Sequence, residues 1–396
     1  MALKLITDAE LKDKRVIARF DFNVPLDKND KSIIADTSRI DLALPTIKHL
    51  LEQGVSKLVM MSHLGRPNGK INPDYSLEPV ANYLAEKLGE DVILTESAVD
   101  NGIKELLTLR ETKIILLQNL RYHPEEEAND EDFARELSVY GDLYVNDAFG
   151  AAHRKHASVF AINKFFNGQA YAGLLLNKEI QALDKILKTP TKPFVAVVGG
   201  AKVSDKIKTI EKLIVSVDHL IIGGAMAYPF LKAKGVAIGN SLCSDEDVKL
   251  ANSILRADRG NKLVLPIDHM VATEFGGKPS VSDSQKIDDD KMGLDIGPKT
   301  IAKYSETLKT AKTVLWNGPM GVFENPDYAK GTMALCEIIA GLEGAFTLVG
   351  GGDSVNAVNQ SGYSDKFSHV STGGGASLEY IEKGELPGVR VLKYGV

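Results

Sequence analysis

Arginine and histidine side chains recur where apolar segments end, or where an adjoining helix begins, in the first half of the chain. These cationic residues are Arg39, His63, Arg66, Arg121 and Arg154. Arginine stays charged at any relevant pH and binds phosphate or carboxylate oxygens through paired N–H groups. Asp21 and Asn23 add hydrogen-bonding groups suited to hydroxyls. The pattern predicts a pocket for a small polyanion with hydroxyls, although a single arginine would more simply be a solvated surface residue.

In the second half of the chain, glycines occupy the positions where apolar segments end. Gly199-Gly200, Gly350–Gly352 and Gly373–Gly375 all lie beside predicted helix starts. Glycine lets backbone N–H groups approach a phosphate closely, and three such loops are a stronger indication than one. We predict a helix over residues 201–210, which would place Lys202 and Lys206 on one face. Asp353, at another predicted helix start, could either cap that helix or hold Mg²⁺.

The elements that position these residues follow from the apolar pattern. Short runs rich in Val, Ile and Leu alternate with helical patterns, which indicates βαβ units around parallel sheets. Residues 37–53 and 173–188 are predicted helices, and a proline-bounded break at 189–193 follows the second. That second helix either connects two domains or is simply the last helix of the first. Within residues 240–300, the acidic clusters at 245–247 and 288–290 are predicted to be solvated loops.

Bulk properties narrow the class of protein. A length of 396 residues favours two domains, and a net charge of -6 argues against a nucleic-acid partner. The sequence has no apolar run of signal-peptide or membrane-span length, which predicts a cytoplasmic protein without membrane contact. Cys243 and Cys336 are predicted to be idle thiols, with one disulfide as the alternative.

The motifs for other chemistries are missing from the sequence. Neither a Gly-x-x-x-x-Gly-Lys-[Ser/Thr] loop nor a Gly-x-Gly-x-x-Gly fingerprint occurs, and no serine or cysteine has the setting of a nucleophile. Two unlike phosphate sites without a nucleophile favour direct in-line phosphoryl transfer between two bound molecules. The alternatives are an NAD-dependent dehydrogenase, which would need the missing fingerprint, and a non-catalytic sugar-phosphate sensor, which would tolerate loss of Lys202 and Asp353.

Ordered motifs along nearly the whole chain closely resemble the phosphoglycerate kinase family. The matching segments are Arg19-Phe-Asp-Phe-Asn-Val-Pro25, Ser62-His-Leu-Gly-Arg-Pro67, Asn119-Leu-Arg121, Asn146-Asp-Ala-Phe-Gly150, His153-Arg154, Gly199-Gly-Ala-Lys-Val-Ser-Asp-Lys206, Asp295-Ile-Gly-Pro298, Trp316-Asn-Gly-Pro319, Gly350-Gly-Gly-Asp353 and Ser371-Thr-Gly-Gly-Gly375. The resemblance implies a reversible glycolytic reaction in which ATP and 3-phosphoglycerate give ADP and 1,3-bisphosphoglycerate with Mg²⁺.

The resemblance also implies roles for individual residues. The substrate side would comprise Asp21, Asn23, Arg39, His63, Arg66, Arg121 and Arg154. The nucleotide side would comprise Lys202, Lys206, Gly293, Asn317, Glu324, Gly351, Gly352, Asp353 and Ser354, with Asp353 on the metal. Arg39, Lys202, Gly373 and Gly374 would stabilise the phosphoryl group during transfer.

The resemblance implies an α/β fold of two Rossmann-like lobes in a monomer that closes by hinge bending. The expected lobes are residues 1–172 for the glycerate and 189–379 for the nucleotide, joined by a helix at 173–188. Residues 380–396 are expected to return to the first lobe. The segment from Gly223 to Phe230 departs from the family's Gly-Gly-Gly-Met-Ala pattern at Ala225 and Pro229. These two residues are expected to affect the detail of the base pocket.

Overall fold

The computed structural model describes residues 2–396, which divide into two compact units. Unit 1 takes the described chain as far as Gln181 together with Glu385–Val396, and unit 2 is Ala182–Gly384. Each unit contains a six-stranded parallel sheet flanked by helices. The predicted α/β fold with two parallel sheets is therefore confirmed.

The sheet of unit 1 has the strand order β3-β4-β2-β1-β5-β6, and all of its pairings are parallel. Its strands are β1 (Arg15–Arg19), β2 (Lys57–Met61), β3 (Val92–Leu94), β4 (Ile114–Leu116), β5 (Leu143–Asn146) and β6 (Ala170–Ala172). The central strands β1 and β2 are buried on both faces, as their continuous apolar runs predict. Since all strands run the same way, their carboxyl ends form one edge, from which Asp21, His63 and Arg121 follow.

Helices cover this sheet. They are α1 (Ser38–Glu52), α2 (Glu78–Leu88), α3 (Asn101–Leu106), α4 (Pro124–Ala128), α5 (Glu131–Ser138) and α6 (Leu174–Leu187). Helix α1 buries Ile40, Ile47 and Leu50 in the core, so the predicted helix at 37–53 is present within one residue at each end. Within residues 2–396, no helix is long and apolar enough to cross a membrane.

Unit 2 repeats the arrangement with the order β15-β14-β13-β7-β8-β9 and adds a small antiparallel sheet, β11-β10-β12. The strands are β7 (Phe194–Val198), β8 (His219–Ile222), β9 (Leu263–Val264), β10 (His269–Ala272), β11 (Ser280–Val281), β12 (Met292–Ile296), β13 (Thr313–Asn317), β14 (Phe346–Gly350) and β15 (His369–Val370). The helices are α7 (Ile207–Ser216), α8 (Ala227–Ala233), α9 (Asp245–Ala257), α10 (Pro298–Lys309), α11 (Lys330–Ala340), α12 (Gly352–Ser361) and α13 (Gly374–Lys383).

Two local predictions in unit 2 are wrong. Helix α7 begins at Ile207 rather than at 201, so Lys202 and Lys206 do not share a helical face. Of the two acidic clusters predicted to be solvated loops, 288–290 lies in an exposed turn, whereas 245–247 is helical. The acidic cluster at 245–247 forms the first turn of α9, where Ser244 caps the helix and carboxylates favour its positive end.

Helix α6 crosses the division between the two units, which falls after Gln181. Its first turn is fixed in unit 1 by Asp147, whose Oδ1 accepts a hydrogen bond from Leu176 N at 3.0 Å. Thr46 Oγ1 accepts a second one from Leu174 N at 3.1 Å. Burial raises the pKa of Asp147 to about 6. A buried carboxylate on the loop after β5 thus satisfies N–H groups that a helix start leaves open.

The last segment of the chain belongs to unit 1. Residues 380–384 still lie in α13 and the turn after it, and α14 (Pro387–Tyr394) follows. Gly388 N donates to Ala152 O at 2.8 Å, and a Cβ on Gly388 would lie 2.7 Å from Val159 Cγ1. Glycine at this position therefore lets α14 approach the loop that carries Arg154.

Candidate functional site

Three predicted substrate residues meet beyond β1 and β2 in unit 1. Arg39 Nη1 donates to Asp21 Oδ2 at 3.1 Å, and His63 Nδ1 lies 3.8 Å from Asp21 Oδ1. Arg39 comes from the first turn of α1, whereas Asp21 and His63 follow strands. The Arg39 side chain keeps 35% of its surface exposed, while Asp21 keeps only 11%. Arg39 therefore presents a guanidinium whose position Asp21 fixes but which still reaches solvent.

A second set of contacts places Asn23 and Arg121 around one loop. Gly65 N donates to Asn23 Oδ1 at 2.8 Å, and Gly65 O accepts from Arg121 Nη1 at the same distance. Gly65 has a φ of +62°, and a Cβ there would collide with the ring of Tyr75. Burial lowers the pKa of Arg121, but Glu127 at 3.2 Å from its Nε opposes that effect, and arginine remains charged.

Arg154 and Arg66 are placed differently from this set. Arg154 is half-buried on the loop after β5, and its Nε donates to His153 Nε2 at 3.2 Å. Its charge also lowers the pKa of Arg121. Arg66 is exposed and, within residues 2–396, makes no hydrogen bond or ion pair.

Sequence reasoning missed Arg19 as a residue of this site. It ends β1 with no exposed surface, and its Nη2 donates to His63 Nδ1 at 3.0 Å. Burial, together with the charges of Arg19 and Arg121, keeps the pKa of His63 well below its ordinary value. His63 is therefore neutral, and its 3.8 Å approach to Asp21 is not an ion pair. An arginine inside an apolar strand was the signal that could have revealed this contact.

In unit 2, glycines bring the ends of β7, β8 and β13 together. Gly199 N donates to Asn317 O at 2.9 Å, and Gly224 N donates to Met320 O at 3.0 Å. A Cβ on Gly199 would lie 2.1 Å from Pro319 O, and one on Gly318 would lie equally close to Gly199 O. Glycine is thus required here by packing between backbones, whether or not a ligand is bound.

The starts of helices α12 and α13 lie side by side. A Cβ on Gly374 would lie 3.1 Å from Gly351 Cα, so the two glycine loops are in contact. Gly351 has a φ of +93°, and Gly373 is the residue that precedes α13. Two helix N-termini with open N–H groups form a favourable place for an anion. Asp353 lies exposed in the first turn of α12, beside this place.

Ser354 and Asn317 have structural partners. Ser354 is buried, and its Oγ accepts a hydrogen bond from Gly318 N. Asn317 is buried as well, and its Nδ2 donates to Gly350 O at 3.0 Å. These two side chains therefore fix the loops of β13 and β14 against each other.

The two predicted lysines have unlike environments. Lys206 Nζ donates to Gly199 O at 2.7 Å and to Asn317 O at 3.2 Å. Burial lowers the pKa of Lys206 to about 8, although the charge of Asp353 opposes this shift. Lys202 is exposed and, in the described part of the chain, has no hydrogen bond or ion pair. One lysine is thus held between two strand ends, and the other is free to reach a ligand.

A cavity of about 530 Å³ opens beside the glycine loops of unit 2. Gly293, Glu324 and Asp353, all predicted nucleotide residues, line it together with Gly200 and Gly224. A Cβ on Gly293 would lie 2.0 Å from Tyr228 Oη, so there is room only for glycine at this position.

Apolar side chains that sequence reasoning missed complete the cavity wall. They are Leu242, Phe275, Met292, Leu294 and Val322. Leu242 and Phe275 expose 57% and 71% of their surface, which is unusual for large apolar residues and typical of a binding slot. The available signal was a lone phenylalanine directly before Gly276-Gly277.

The departures from the family pattern cause no break in this wall. Helix α8 begins at Ala227, so Pro229 lies in the first turn, where no intrahelical partner is lost. Ala225 lines the cavity with its methyl group.

A buried carboxylate supports the cavity from behind. Asp295 Oδ2 accepts from Gly331 N at 2.7 Å, and its Oδ1 accepts from Ile296 N at 2.8 Å. Burial raises the pKa of Asp295 to about 7. A Cβ on Gly321 would lie 2.4 Å from Asp295 Oδ1, so this side chain packs between β12 and the loop that bears Glu324.

Taken together, one unit offers fixed guanidinium groups that suit a small anion, and the other offers helix N-termini beside a mostly apolar slot that suits a nucleotide. A two-unit α/β fold with these sites defines a phosphotransferase that acts between a nucleotide and a small phosphorylated acceptor. The phosphoglycerate kinase family model matches residues 6–384. The chain therefore belongs to the phosphoglycerate kinase family.

Relatives and solved structures agree with this assignment. Phosphoglycerate kinase from Anaeromyxobacter sp. (strain Fw109-5) is 50% identical, covering 99% of this chain and 100% of its own. The enzyme from Clostridium novyi (strain NT) is 47% identical over 98% of both chains. The structure of phosphoglycerate kinase from Coxiella burnetii matches with a TM-score of 0.88 at 37% identity, over 99% of both chains. The prediction of a phosphoglycerate kinase is thus confirmed.

Proposed function

We propose that the chain transfers the γ-phosphoryl group of ATP directly, in line, to the carboxylate of 3-phosphoglycerate. A carboxylate oxygen forms the new bond to phosphorus while the bond to the β–γ bridging oxygen breaks, which yields 1,3-bisphosphoglycerate and ADP. The acceptor is already ionised, so no general base is required. The observation that carries the proposal is the pair of unlike anion sites at the carboxyl edges of two parallel sheets.

The substrate side belongs to unit 1 in this proposal. Arg121 and Arg154 bind the phosphate of the glycerate, with Arg66 as the exposed member of the set. Asp21, Asn23 and His63 bind its hydroxyl and carboxylate. Arg39 stabilises the phosphoryl group in transit, and its partly exposed guanidinium beside Asp21 supports this role.

The nucleotide side belongs to unit 2. The apolar slot of Leu242 and Phe275 receives the base, beside Gly293, and Glu324 receives the ribose hydroxyls. Backbone N–H groups of Gly351 and Gly352 bind phosphate oxygens at the start of α12, and Asn317 and Ser354 hold that loop.

Charge on the transferring phosphoryl group is offset by three sources in unit 2. Lys202 and Lys206 supply positive charges, and the N–H groups of Gly373 and Gly374 supply the positive end of α13. Lys202 is exposed and uncommitted, which suits a side chain that must reach the reacting group.

Mg²⁺ is the proposed metal, and Asp353 is its proposed protein ligand. Mg²⁺ is commonly bound by one or two carboxylates together with substrate phosphates. The described residues contain no group of three His, Cys, Asp or Glu that could hold a metal, so a phosphate-dependent site fits the single carboxylate of Asp353. The bound ion would neutralise phosphate charge.

The proposed functional lobes are residues 1–172 and 189–379, with 173–188 as their connection and residues 380–396 returning to the first lobe. Because the two sets of ligands belong to different units, the reaction requires that the units meet and exclude water. The proposal includes a monomer in the cytoplasm, which sedimentation and cell fractionation would test.

The stereochemistry at phosphorus tests direct transfer. ATP with a chiral, isotopically labelled γ-phosphoryl group should give 1,3-bisphosphoglycerate of inverted configuration. Retention would indicate a phosphorylated enzyme and would refute the in-line proposal. A coupled assay of ADP formation, with Mg²⁺ removed by a chelator and then restored, tests the metal: we expect activity to be lost and then recovered. Full activity without Mg²⁺ would remove Asp353 as a metal ligand.

A further inference from the structure

A buried polar network lies directly behind the arginine site of unit 1. Its central member, Arg19, has no exposed surface and uses all three guanidinium nitrogens. Nε donates to Ser158 Oγ at 2.9 Å, Nη1 donates to Phe20 O, and Nη2 donates to His63 Nδ1 at 3.0 Å. A buried guanidinium with every nitrogen engaged has a single orientation, so its contact with His63 depends on the other two contacts.

Glu126 fixes the serine to which Arg19 donates. Glu126 is fully buried on α4, and its Oε1 accepts from Ser158 Oγ at 2.6 Å while its Oε2 accepts from Ser158 N at 2.9 Å. Two accepted hydrogen bonds match an ionised carboxylate. Burial raises the pKa of Glu126, but the charge of Arg19 and the two hydrogen bonds from Ser158 oppose this. The serine hydroxyl thus has one direction: it donates to Glu126 and accepts from Arg19.

This chain of contacts decides which ring nitrogen of His63 carries the proton. A guanidinium can only donate, so Nδ1 accepts from Arg19 and the proton of the neutral ring lies on Nε2. Asp21 Oδ1, which is 3.8 Å from Nδ1, would favour the opposite tautomer, because a carboxylate accepts. Arg19 is nearer and prevails. His63 therefore presents an N–H group, rather than a lone pair, from its Nε2.

We propose that Glu126 and Ser158 are positioning residues that act through Arg19 to hold His63 as an Nε2–H donor for the anionic glycerate. The inference rests on the proposed function in one respect, which is the role of His63 in binding the substrate. An N–H donor suits carboxylate, phosphate or hydroxyl oxygens, whereas an Nε2 lone pair would repel an anion. In this role, neither Glu126 nor Ser158 has to contact the ligand.

The test uses Ser158→Ala, with Ser158→Thr and Tyr144→Phe as matched variants. Alanine removes the hydroxyl that Arg19 needs, and threonine restores it. Tyr144 Oη donates to Ser158 O at 2.8 Å, so phenylalanine removes a buried hydrogen bond from the same serine without touching the route to His63. Imidazole ¹⁵N chemical shifts report the tautomer of His63, whose signals are assigned by their loss in His63→Gln.

In Ser158→Ala we expect the Nδ1–H form of His63 to appear and KM for 3-phosphoglycerate to rise about tenfold, the effect of losing one charge-assisted hydrogen bond. KM for ATP should stay within about twofold. Ser158→Thr should restore both the Nε2–H signature and KM. Tyr144→Phe should lower thermal stability and leave both readouts unchanged.

Two results would overturn the inference. An unchanged Nε2–H signature in folded Ser158→Ala would show that the serine does not set the tautomer. A changed signature with an unchanged KM would overturn the proposed effect on binding. His63→Gln separates the premise from the inference: if that variant also leaves KM unchanged, the proposed function of His63 fails. If it raises KM while Ser158→Ala does not, only the positioning role fails. Should Ser158→Ala not fold, Glu126→Gln measures the same signature with the serine retained.

Discussion

In the proposed function, the two units bind their phosphorylated ligands through different chemical groups. Unit 1 relies on guanidinium groups that other side chains fix in place, such as Arg39 on Asp21 and Arg121 on Gly65 O. Unit 2 relies on backbone at helix starts, where Gly351 and Gly374 lie in contact. The difference teaches that charge must be oriented by partners, whereas backbone N–H groups are oriented by the fold itself.

This contrast has a consequence for tolerance to substitution. Removing a side chain in unit 1 removes both a ligand group and a partner that holds its neighbours. Adding a side chain in unit 2 brings a Cβ into space that backbone or ligand must occupy. Ligand binding should therefore be lost in unit 1 when a side chain is shortened, and in unit 2 when a glycine is replaced by a larger residue.

The largest effect should come from Arg39→Ala. Loss of a guanidinium that stabilises the transferring phosphoryl group should lower kcat about 1000-fold, since arginines in this role contribute that much in other phosphoryl transfers. Steady-state kinetics with both substrates saturating measures it. Arg15→Ala is the control, because Arg15 forms only a half-exposed ion pair with Asp142. A rise in KM alone, with kcat intact, would reduce Arg39 to a ground-state contact.

Asp353→Ala tests whether the two sites bind their ligands independently. The KM for Mg-ATP should rise about 10- to 100-fold, because a ligand to the metal is lost. Calorimetric binding of 3-phosphoglycerate should not change, since its ligands lie in unit 1. Asp365→Ala, an exposed carboxylate in the same unit, should leave both affinities intact. Equal weakening of both ligands would contradict the idea of independent half-sites.

Gly352→Ala tests whether unit 2 needs bare backbone for a ligand rather than for folding. A Cβ at Gly352 meets nothing within 4 Å, and alanine favours a helix by up to about 1 kcal/mol over glycine. The melting temperature should therefore not fall, while nucleotide affinity should drop about tenfold because the methyl group enters the phosphate position. The measurements are thermal denaturation and nucleotide titration.

Gly344→Ala gives the opposite signature and serves as the control for Gly352. Gly344 has a φ of +68° with open space around it, so alanine strains the backbone without meeting any atom. Stability should fall by roughly 1 kcal/mol with nucleotide affinity unchanged. Full nucleotide affinity in Gly352→Ala would show that no phosphate lies against this helix start.

The smallest expected effect is a dependence of kcat/KM on pH that arises from the titration of Lys206. Its pKa of about 8 is depressed by burial, so the free enzyme loses this charge as the pH rises through 8. kcat/KM for the nucleotide should fall above that pH, and Lys206→Arg should abolish the fall because arginine keeps its charge.

Stability should move the opposite way. Between about 8 and the ordinary lysine value of 10.5, the unfolded state binds more protons than the folded state, so the contribution of Lys206 to the free energy of unfolding rises with pH. Denaturant titrations of the wild type and of Lys206→Arg over that range isolate the contribution. A parallel fall of stability and kcat/KM in the wild type would indicate general alkaline unfolding instead.

Much of the fold followed from the sequence because buried parallel strands leave an unambiguous apolar signature. The runs at 114–117 and 194–198 contain β4 and β7, and the helix at 173–188 matches α6 to within one residue at each end. The small antiparallel sheet was missed because β11 has only two residues, both exposed, and carries no periodic pattern.

The site was less predictable where geometry depends on non-local packing. The predicted helix start at 201 is wrong because residues 201–206 are not helical, and Lys206 Nζ instead donates to backbone oxygens at the ends of β7 and β13. The apolar slot was not predicted, since Leu242 and Phe275 are distant in sequence and come together only through the fold of unit 2. Arg19 was visible in the sequence, but its burial behind His63 was not.

The contact between α14 and the loop of Ala152 has a consequence for the order in which the two units can be completed during translation. Unit 2 is a single continuous stretch, and all of it is translated before Gly388. Unit 1 is completed by residues that are translated after all of unit 2, and a contact between residues so far apart in sequence is slow to form. The unit that is begun first is therefore completed after the other, and its arginine-bearing loop acquires the support of α14 only once all of unit 2 has been translated.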